Sequence, residues 1–415
     1  MFVRFLALLS VFVALSLSLS ASPKQSSEAF YQRNVFYAGG EYTFVPSSNS
    51  TILINQIYVE QLTPLYRKTR KYPVIFFHGG GVSGTQWLNK PDGNRGWASY
   101  MLSKGYEVYI VDQWSVGGFS IPYNPGVLPH VSASSVLAIY FSLRRSSKTN
   151  LDAAPLILGG GVELATVAFT APELYDYYYQ ARYHTQWPGN GTRGDPVFDS
   201  FFATFLPLSL GPLAQNISRK STCALLHQIG PSIFVSHSYG GQGAFLATDG
   251  CPELVKAHVA FEADQTPFGN YDAGTFGATT PAPSRAWGIA DVPIAYDPPV
   301  TDPNQLARVA IGQNQFIEGK ISNFSCVLQA DTATQKPRRL VNIAKAPVLF
   351  LTTQASVHVL YDHCQVSYLR QSGVSVTFTL LEKIGILGNG HFGMLEKNSD
   401  DIARYFEGWI RKNVQ

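Results

Sequence analysis

Ser238 stands in the run Val235-Ser236-His237-Ser238-Tyr239-Gly240-Gly241-Gln242-Gly243, between an apolar β-branched segment starting at Ser232 and a helix-compatible segment from Gly243 to Thr248. A serine in a tight strand-to-helix turn carries its Oγ clear of the sheet edge, where it can attack a carbonyl carbon. Strand and helix approach so closely in such a turn that its flanking positions must be small, and Ser236 and Gly240 are. The hydroxyl needs a base. His391, in Gly388-Asn389-Gly390-His391, follows an apolar strand from Val376 to Leu381 and precedes a final helix. A carboxylate is then needed to fix the imidazole tautomer and to stabilise the imidazolium that forms. The loop after the strand Pro347 to Thr352 reads Thr353-Gln354-Ala355-Ser356-Val357-His358 and holds no acid; the first one, Asp362, already reads as helix. One strand earlier, Ala257 to Phe261 ends in Glu262-Ala263-Asp264. The order of preference is Glu262, Asp362, Asp264.

Upstream, the buried strand Tyr72 to Phe77 runs into His78-Gly79-Gly80-Gly81, and a second, Tyr106 to Val111, ends at Asp112. Glycines after the first strand let backbone N–H groups face a substrate without a Cβ in the way. The expected oxyanion donors are therefore an N–H of the Gly80-Gly81 turn and the N–H of Tyr239, the residue after the serine. A chain order of glycine turn, serine, acid and histidine is that of α/β-hydrolases. The other histidines read differently. His237 should point from the turn into packing, His78 should brace the glycine loop, and His358 with His363 beside Asp362 does not read as a metal site. Gly159-Gly160-Gly161 lacks the Lys and Ser/Thr of a phosphate loop and reads as a turn.

The segments His78-Gly79-Gly80-Gly81, Pro91-Asp92-Gly93, Val111-Asp112-Gln113, Ser238-Tyr239-Gly240-Gly241, Trp287-Gly288-Ile289, Tyr296-Asp297-Pro298-Pro299, Gly388-Asn389-Gly390-His391 and Leu395-Glu396-Lys397-Asn398 together resemble a group of secreted and periplasmic α/β-hydrolase esterases. The resemblance runs from about Asn55 to the end. It implies a serine hydrolase with a Ser–His–Glu triad whose Glu ends the sixth strand, and so supports Ser238, His391 and Glu262. The chain departs from the pattern at Ser236 and at Trp114-Ser115-Val116-Gly117-Gly118, where relatives tend to carry a Pro-Gly-x-Gly turn. That second departure borders the entrance and bears on substrate identity.

Strands alternate with helices from about Asn55 to Asp112 and again from about Thr222, which implies an α/β fold, a mostly parallel sheet with helices on both faces. The stretch from Ile121 to Gln215 interrupts it and reads as an inserted lid. Its Tyr175, Tyr177, Tyr178, Tyr179, Tyr183, Trp187, Phe198, Phe201, Phe202 and Phe205 are expected to form a small core of the lid's own, with about three of them facing substrate. Gln265 through Asp302 reads as a long Pro- and Gly-rich loop beside the acid. Arg4 followed by the apolar run Phe5 to Leu19 and by small residues reads as a secretory signal peptide over residues 1–21, leaving one hydrolase domain over 22–415. An export signal suits the four cysteines, expected as Cys223–Cys251 around the serine's strand and helix and as Cys326–Cys364. None has metal-ligand spacing, so neither metal nor other cofactor is expected. Sequons at Asn49, Asn190, Asn216 and Asn323 mark surface loops. With 14% charged residues and a formal charge of +3, no basic cluster suggests nucleic acid, and no later segment could span a membrane. The partner expected is a small-molecule ester or lactone, cleaved through an acyl-enzyme. The rival readings are a catalytically silent binding module and a lipase or acyltransferase using the same triad.

Overall fold

Val74–Phe77 reads Val-Ile-Phe-Phe, and all of it is buried. A strand without polar alternation must be covered on both faces, as in the interior of a parallel sheet. In the computed structural model, which describes residues 27–46, 48–66, 70–113, 156–157, 161–206, 208–271, 282–312 and 324–414, this strand lies in the middle of an eight-stranded sheet. In chain order the strands are β1 (Tyr31–Val45), β2 (Ser50–Pro64), β3 (Val74–Phe77), β4 (Val108–Asp112), β5 (Ser232–His237), β6 (Val255–Phe261), β7 (Val348–Thr352) and β8 (Val376–Leu380). Their order across the sheet is β1-β2-β4-β3-β5-β6-β7-β8. From β4 to β8 every pair is parallel, while β2 runs antiparallel to both β1 and β4. This is the α/β-hydrolase fold.

Helices cover both faces. On one lie α1 (Trp97–Ser103) and α6 (Ser399–Asn413), which meet through Trp97 and Phe406 with ring centroids 5.0 Å apart. Trp97 Nε1 donates to the carbonyl of Ser399 at 3.0 Å. The buried Ile402, Ala403, Phe406 and Ile410 of α6 form a stripe at helical spacing, and Asp400 and Asp401 at its start oppose Arg411 and Lys412 at its end, as the helix dipole favours. On the other face α3 (Pro212–Ile229) and α4 (Gly240–Gly250) bury Leu225, Leu226, Ala244 and Ala247 against Phe77 and Phe234. A short helix, α2 (Pro196–Phe202), and α5 (Asp362–Gln371) complete the set used below.

Three expectations need correcting. The sheet does not begin near Asn55. Two 15-residue strands pair from Tyr31↔Pro64 to Val45↔Ser50, and the first of them precedes the strand alternation read from about Asn55. Asn216 lies on α3, exposed, and not in a loop. Among the described residues, the aromatics of the insertion form a core of their own only in part: Phe198, Phe202 and Phe205 stack on one another, with ring centroids 5.8 and 5.0 Å apart. Trp187, Phe201 and Phe205 pack into the cluster that holds Trp87, Trp97 and Phe392, while Tyr178 joins the opposite cluster. The reason is physical: the seven-residue α2 has rings on more than one side, and Phe201 faces the sheet domain while Phe198 stacks on Phe202. Both disulfides are formed as expected, Cys223–Cys251 and Cys326–Cys364. Asn49 and Asn190 are exposed. Among the described residues no helix is long and apolar enough to cross a membrane. The signal-peptide reading, the Trp114–Gly118 departure, the first part of the insertion, most of the glycine run at 159–161 and the Asn323 sequon lie outside the described residues.

Candidate active site

Ser238 and Glu262 stand just past the carboxyl ends of β5 and β6, the edge where ligands bind in such sheets, and His391 lies in the longer loop that follows β8. Ser238 follows β5 with φ +52°, a left-handed backbone that a non-glycine residue adopts only when its surroundings force it. They do. Its N–H donates to Phe261 O at 3.2 Å and its carbonyl accepts from Asp264 N at 2.6 Å and Gly241 N at 2.9 Å. A Cβ on Gly240 would come within 2.4 Å of His78 O, and one on Gly241 within 2.5 Å of the Ala263 methyl, so α4 can start here only on glycine. Ser236, at the departing small position, is tolerated because its hydroxyl pairs with the buried His258 Nε2 at 2.7 Å.

The glycine turn after β3 lies against the serine: a Cβ on Gly79 would sit 3.2 Å from Ser238 Cβ. Gly81 has φ +73°, and its carbonyl accepts from Leu206 N at 2.7 Å, which ties the turn to the insertion. His78 braces this loop as expected. Its Nε2 accepts Gln113 N–H at 3.1 Å, so Nδ1 carries the proton and donates to Gly79 O at 2.8 Å. Burial lowers its pKa and keeps it neutral.

Of the three acids, Glu262 meets His391. The Nδ1–Oε2 distance is 2.6 Å, and both side chains are buried. The other carboxylate oxygen, Oε1, accepts from Thr353 N at 2.8 Å and Thr353 Oγ1 at 2.6 Å. Glu262 itself has φ +44°. Nδ1 being the donor, Nε2 of His391 is left with a lone pair. Burial, and then the neighbouring His358, push the His391 pKa well below the usual histidine value, so the ring is a neutral base. Asp362 pairs with His358 and with Thr352, and Asp264 with Arg285. Neither bonds to His391.

Three residues pack around His391, and that contact escapes sequence reading. His237, expected in packing, is buried there with its Nε2 on the His391 carbonyl at 2.9 Å. Phe169, from the insertion, stacks on the His391 ring with centroids 5.4 Å apart. His358 stacks on it at 4.4 Å. Only spatial neighbours three strands apart could reveal these; no local motif does. Among the described residues two groups bring His, Cys or carboxylate atoms together. Cys326 and Cys364 of one are spent in a disulfide, and Glu262, His358 and His391 of the other are already hydrogen-bonded as described.

The loop carrying His391 is held by Glu396. Its carboxylate accepts from Gly390 N at 2.9 Å, Asn389 Nδ2 at 2.7 Å and His184 Nε2 at 2.8 Å, while His184 Nδ1 reaches Glu173 at 2.7 Å. His184 thus straps the insertion to the histidine loop. Burial disfavours its charge, but the hydrogen bonds to the two carboxylates outweigh that and raise its pKa to about 9. A raised folded pKa stabilises fully below the unfolded value of about 6.5 and is lost as pH climbs through the folded one. Denaturant stability should therefore fall by on the order of 3 kcal/mol between pH 6.5 and 9.5. His184→Gln should flatten that slope; an unchanged slope in urea titrations would remove His184 as its source.

A protein named "Probable secreted lipase phiG", from Fungal sp. (strain ATCC 74256), is 35% identical over 379 residues, which cover 91% of this chain and 89% of the relative. A solved structure described as the atomic resolution structure of a novel bacterial esterase aligns with a TM-score of 0.56 at 17% identity, covering 95% of this chain and 100% of that one. Naproxen esterase (carboxylesterase NP) from Bacillus subtilis aligns at 0.36 and 13% identity over 89% and 91% of the two chains. No family model matches. The bacterial esterase likeness bears on fold alone. The fungal match, by its identity and its near-complete coverage of both chains, shows the family: the chain belongs with this secreted lipase among the secreted carboxylic-ester hydrolases of the α/β-hydrolase fold.

Proposed function

We propose that Ser238, His391 and Glu262 are the nucleophile, base and acid of this hydrolase, and that it acts on compact esters. The observation that carries the triad is the pairing of His391 Nδ1 with Glu262 at 2.6 Å, taken with a serine held at φ +52° in the turn after β5. His391 Nε2 takes the Ser238 proton as Oγ bonds to the ester carbonyl carbon. The oxyanion forms among the N–H of Tyr239 and an N–H of the Gly80-Gly81 turn, and losing one such donor costs about 3 kcal/mol in barrier. The intermediate collapses and expels the alcohol, which receives the proton from His391. Water then attacks the acyl-enzyme with His391 again as base, releasing the acid and restoring Ser238. Glu262 stays ionised and holds the imidazole in the Nδ1–H tautomer.

The preference for compact acyl groups rests on the aromatic wall at the base, where Phe169 and Phe392 flank His391. A second reading, a lipase working at a lipid surface, is favoured by the surface of the insertion: Tyr175, Tyr177, Tyr179 and Tyr183 are 36–52% exposed. Interfaces favour such amphipathic rings. A screen of p-nitrophenyl esters from acetate to palmitate, with and without emulsified triglyceride, separates the two. The compact-ester reading expects rates highest at short chains and no jump at the emulsion threshold. Preference for long chains together with such a jump would make the enzyme a lipase.

A further inference from the structure

His391 is backed by a second imidazole. The His358 ring is parallel to it within 8°, with centroids 4.4 Å apart. His358 sits in the turn Val357–Leu360 after β7, where its N–H donates to Ser356 Oγ at 3.1 Å. Its Nδ1 is 2.9 Å from Asp362 Oδ1, and Asp362 Oδ2 accepts from Thr352 Oγ1 at 2.6 Å. Polar side-chain atoms of Glu262, His358 and His391 all lie within 4.8 Å of one another. All four groups are buried. Two histidine–carboxylate pairs, Glu262–His391 and Asp362–His358, thus stand face to face.

We propose that His358, charged by Asp362, is a positioning residue of the triad: its cation keeps the buried Glu262 ionised and His391 neutral, so that the base is ready at moderately acid pH. This rests on the triad reading given above.

Spacing alone does not explain the second pair. An apolar ring would fill the space behind His391 without burying a carboxylate, and burying charge has a desolvation cost that packing does not repay. A cation opposite Glu262, in contrast, offsets the burial of that carboxylate. Burial raises the Glu262 pKa, and the foremost group opposing this is His358, ahead of Thr353. For His391, His358 adds to burial in lowering the pKa. Burial opposes charging His358, but Asp362 outweighs it, with Glu262 and Asp264 adding to the rise. Asp362 is itself pushed up to about 6 by burial, so the second pair is fully charged only above that pH. The other groups facing this centre are accounted for. Asp264 is paired with Arg285, His237 is neutral by burial, and the Tyr178 and Tyr361 hydroxyls have raised pKa values, again from burial.

The test is the pH dependence of kcat/KM for a short p-nitrophenyl ester, in wild type, His358→Gln, Asp362→Asn and Ser238→Ala. Loss of the cation lets both His391 and Glu262 take up protons more readily, so the midpoint of the acid limb should move up by about one pH unit in the first two variants. Their rates on the alkaline plateau should stay within about tenfold of wild type, since there both groups are deprotonated anyway. A uniform loss at every pH with the midpoint unmoved, or a shift to lower pH, would overturn the proposal. If His358→Gln is not secreted, Asp362→Asn decides alone, because Asn keeps the size of the side chain and its Thr352 contact. Failure of the triad reading is distinct: it shows as activity in Ser238→Ala, whatever the limb does.

Discussion

Ser238→Ala should lower hydrolysis of short p-nitrophenyl esters by at least about 10⁴-fold while leaving the protein secreted and its melting temperature close to wild type. The size follows from what the substitution removes. Without Oγ there is no covalent intermediate, and the N–H donors and binding surfaces that remain give only the modest rate enhancement of a site without its nucleophile. The fold should not suffer, because the φ of +52° is imposed by hydrogen bonds from Ser238 N and to Ser238 O, which alanine keeps. A fluorophosphonate probe should label the wild type at Ser238 and leave the variant unlabelled. Activity within about tenfold of wild type would take Ser238 out of the mechanism.

Glu262→Gln should be the next most damaging change, on the order of 10³- to 10⁴-fold in kcat. Glutamine is the same size, but where its amide faces His391 it can donate to Nδ1, which favours the tautomer with the proton on Nε2, the nitrogen that must accept one from serine. It also leaves no negative charge for the imidazolium that forms. Asp362→Asn, one pair further back, should cost less than about tenfold at its best pH, since Asp362 reaches the base only through His358. Measured at each variant's optimum, a larger loss for Asp362→Asn than for Glu262→Gln would move the acid from β6 to the segment after β7.

Six sheet strands, β3 to β8, the turn at Ser238 and the glycine turn after β3 are legible in sequence because each is local: an apolar run, then small residues, then a chemical group. The ranking of Glu262 above Asp362 was legible by elimination, from the acid missing after Thr352. What sequence hides is set by distance along the chain. His184 and Glu396 are 212 residues apart, and nothing in either segment tells that they meet. Strand β1 was missed because its burial is slight: apart from Ala38 its residues are exposed or half-buried, so no run of apolar residues marks it. The insertion's rings misled for the opposite reason. Their composition resembles a core, yet composition carries no information about which surface the rings cover.

The Cys223–Cys251 bridge joins α3 to the far end of α4 and closes a 28-residue segment that contains Ser238 and its turn. Cross-linking a loop of that length removes roughly 3–4 kcal/mol of chain entropy from the unfolded state. A secreted chain also meets proteases, and within this segment His227 and Gln228 at the end of α3 form an exposed stretch. A cut there opens the polypeptide but not the molecule. The fragment that ends at Gln228 stays covalently attached, through Cys223, to the one that carries the serine, so a single nick outside the cell leaves the two halves of this hydrolase tethered and able to re-dock.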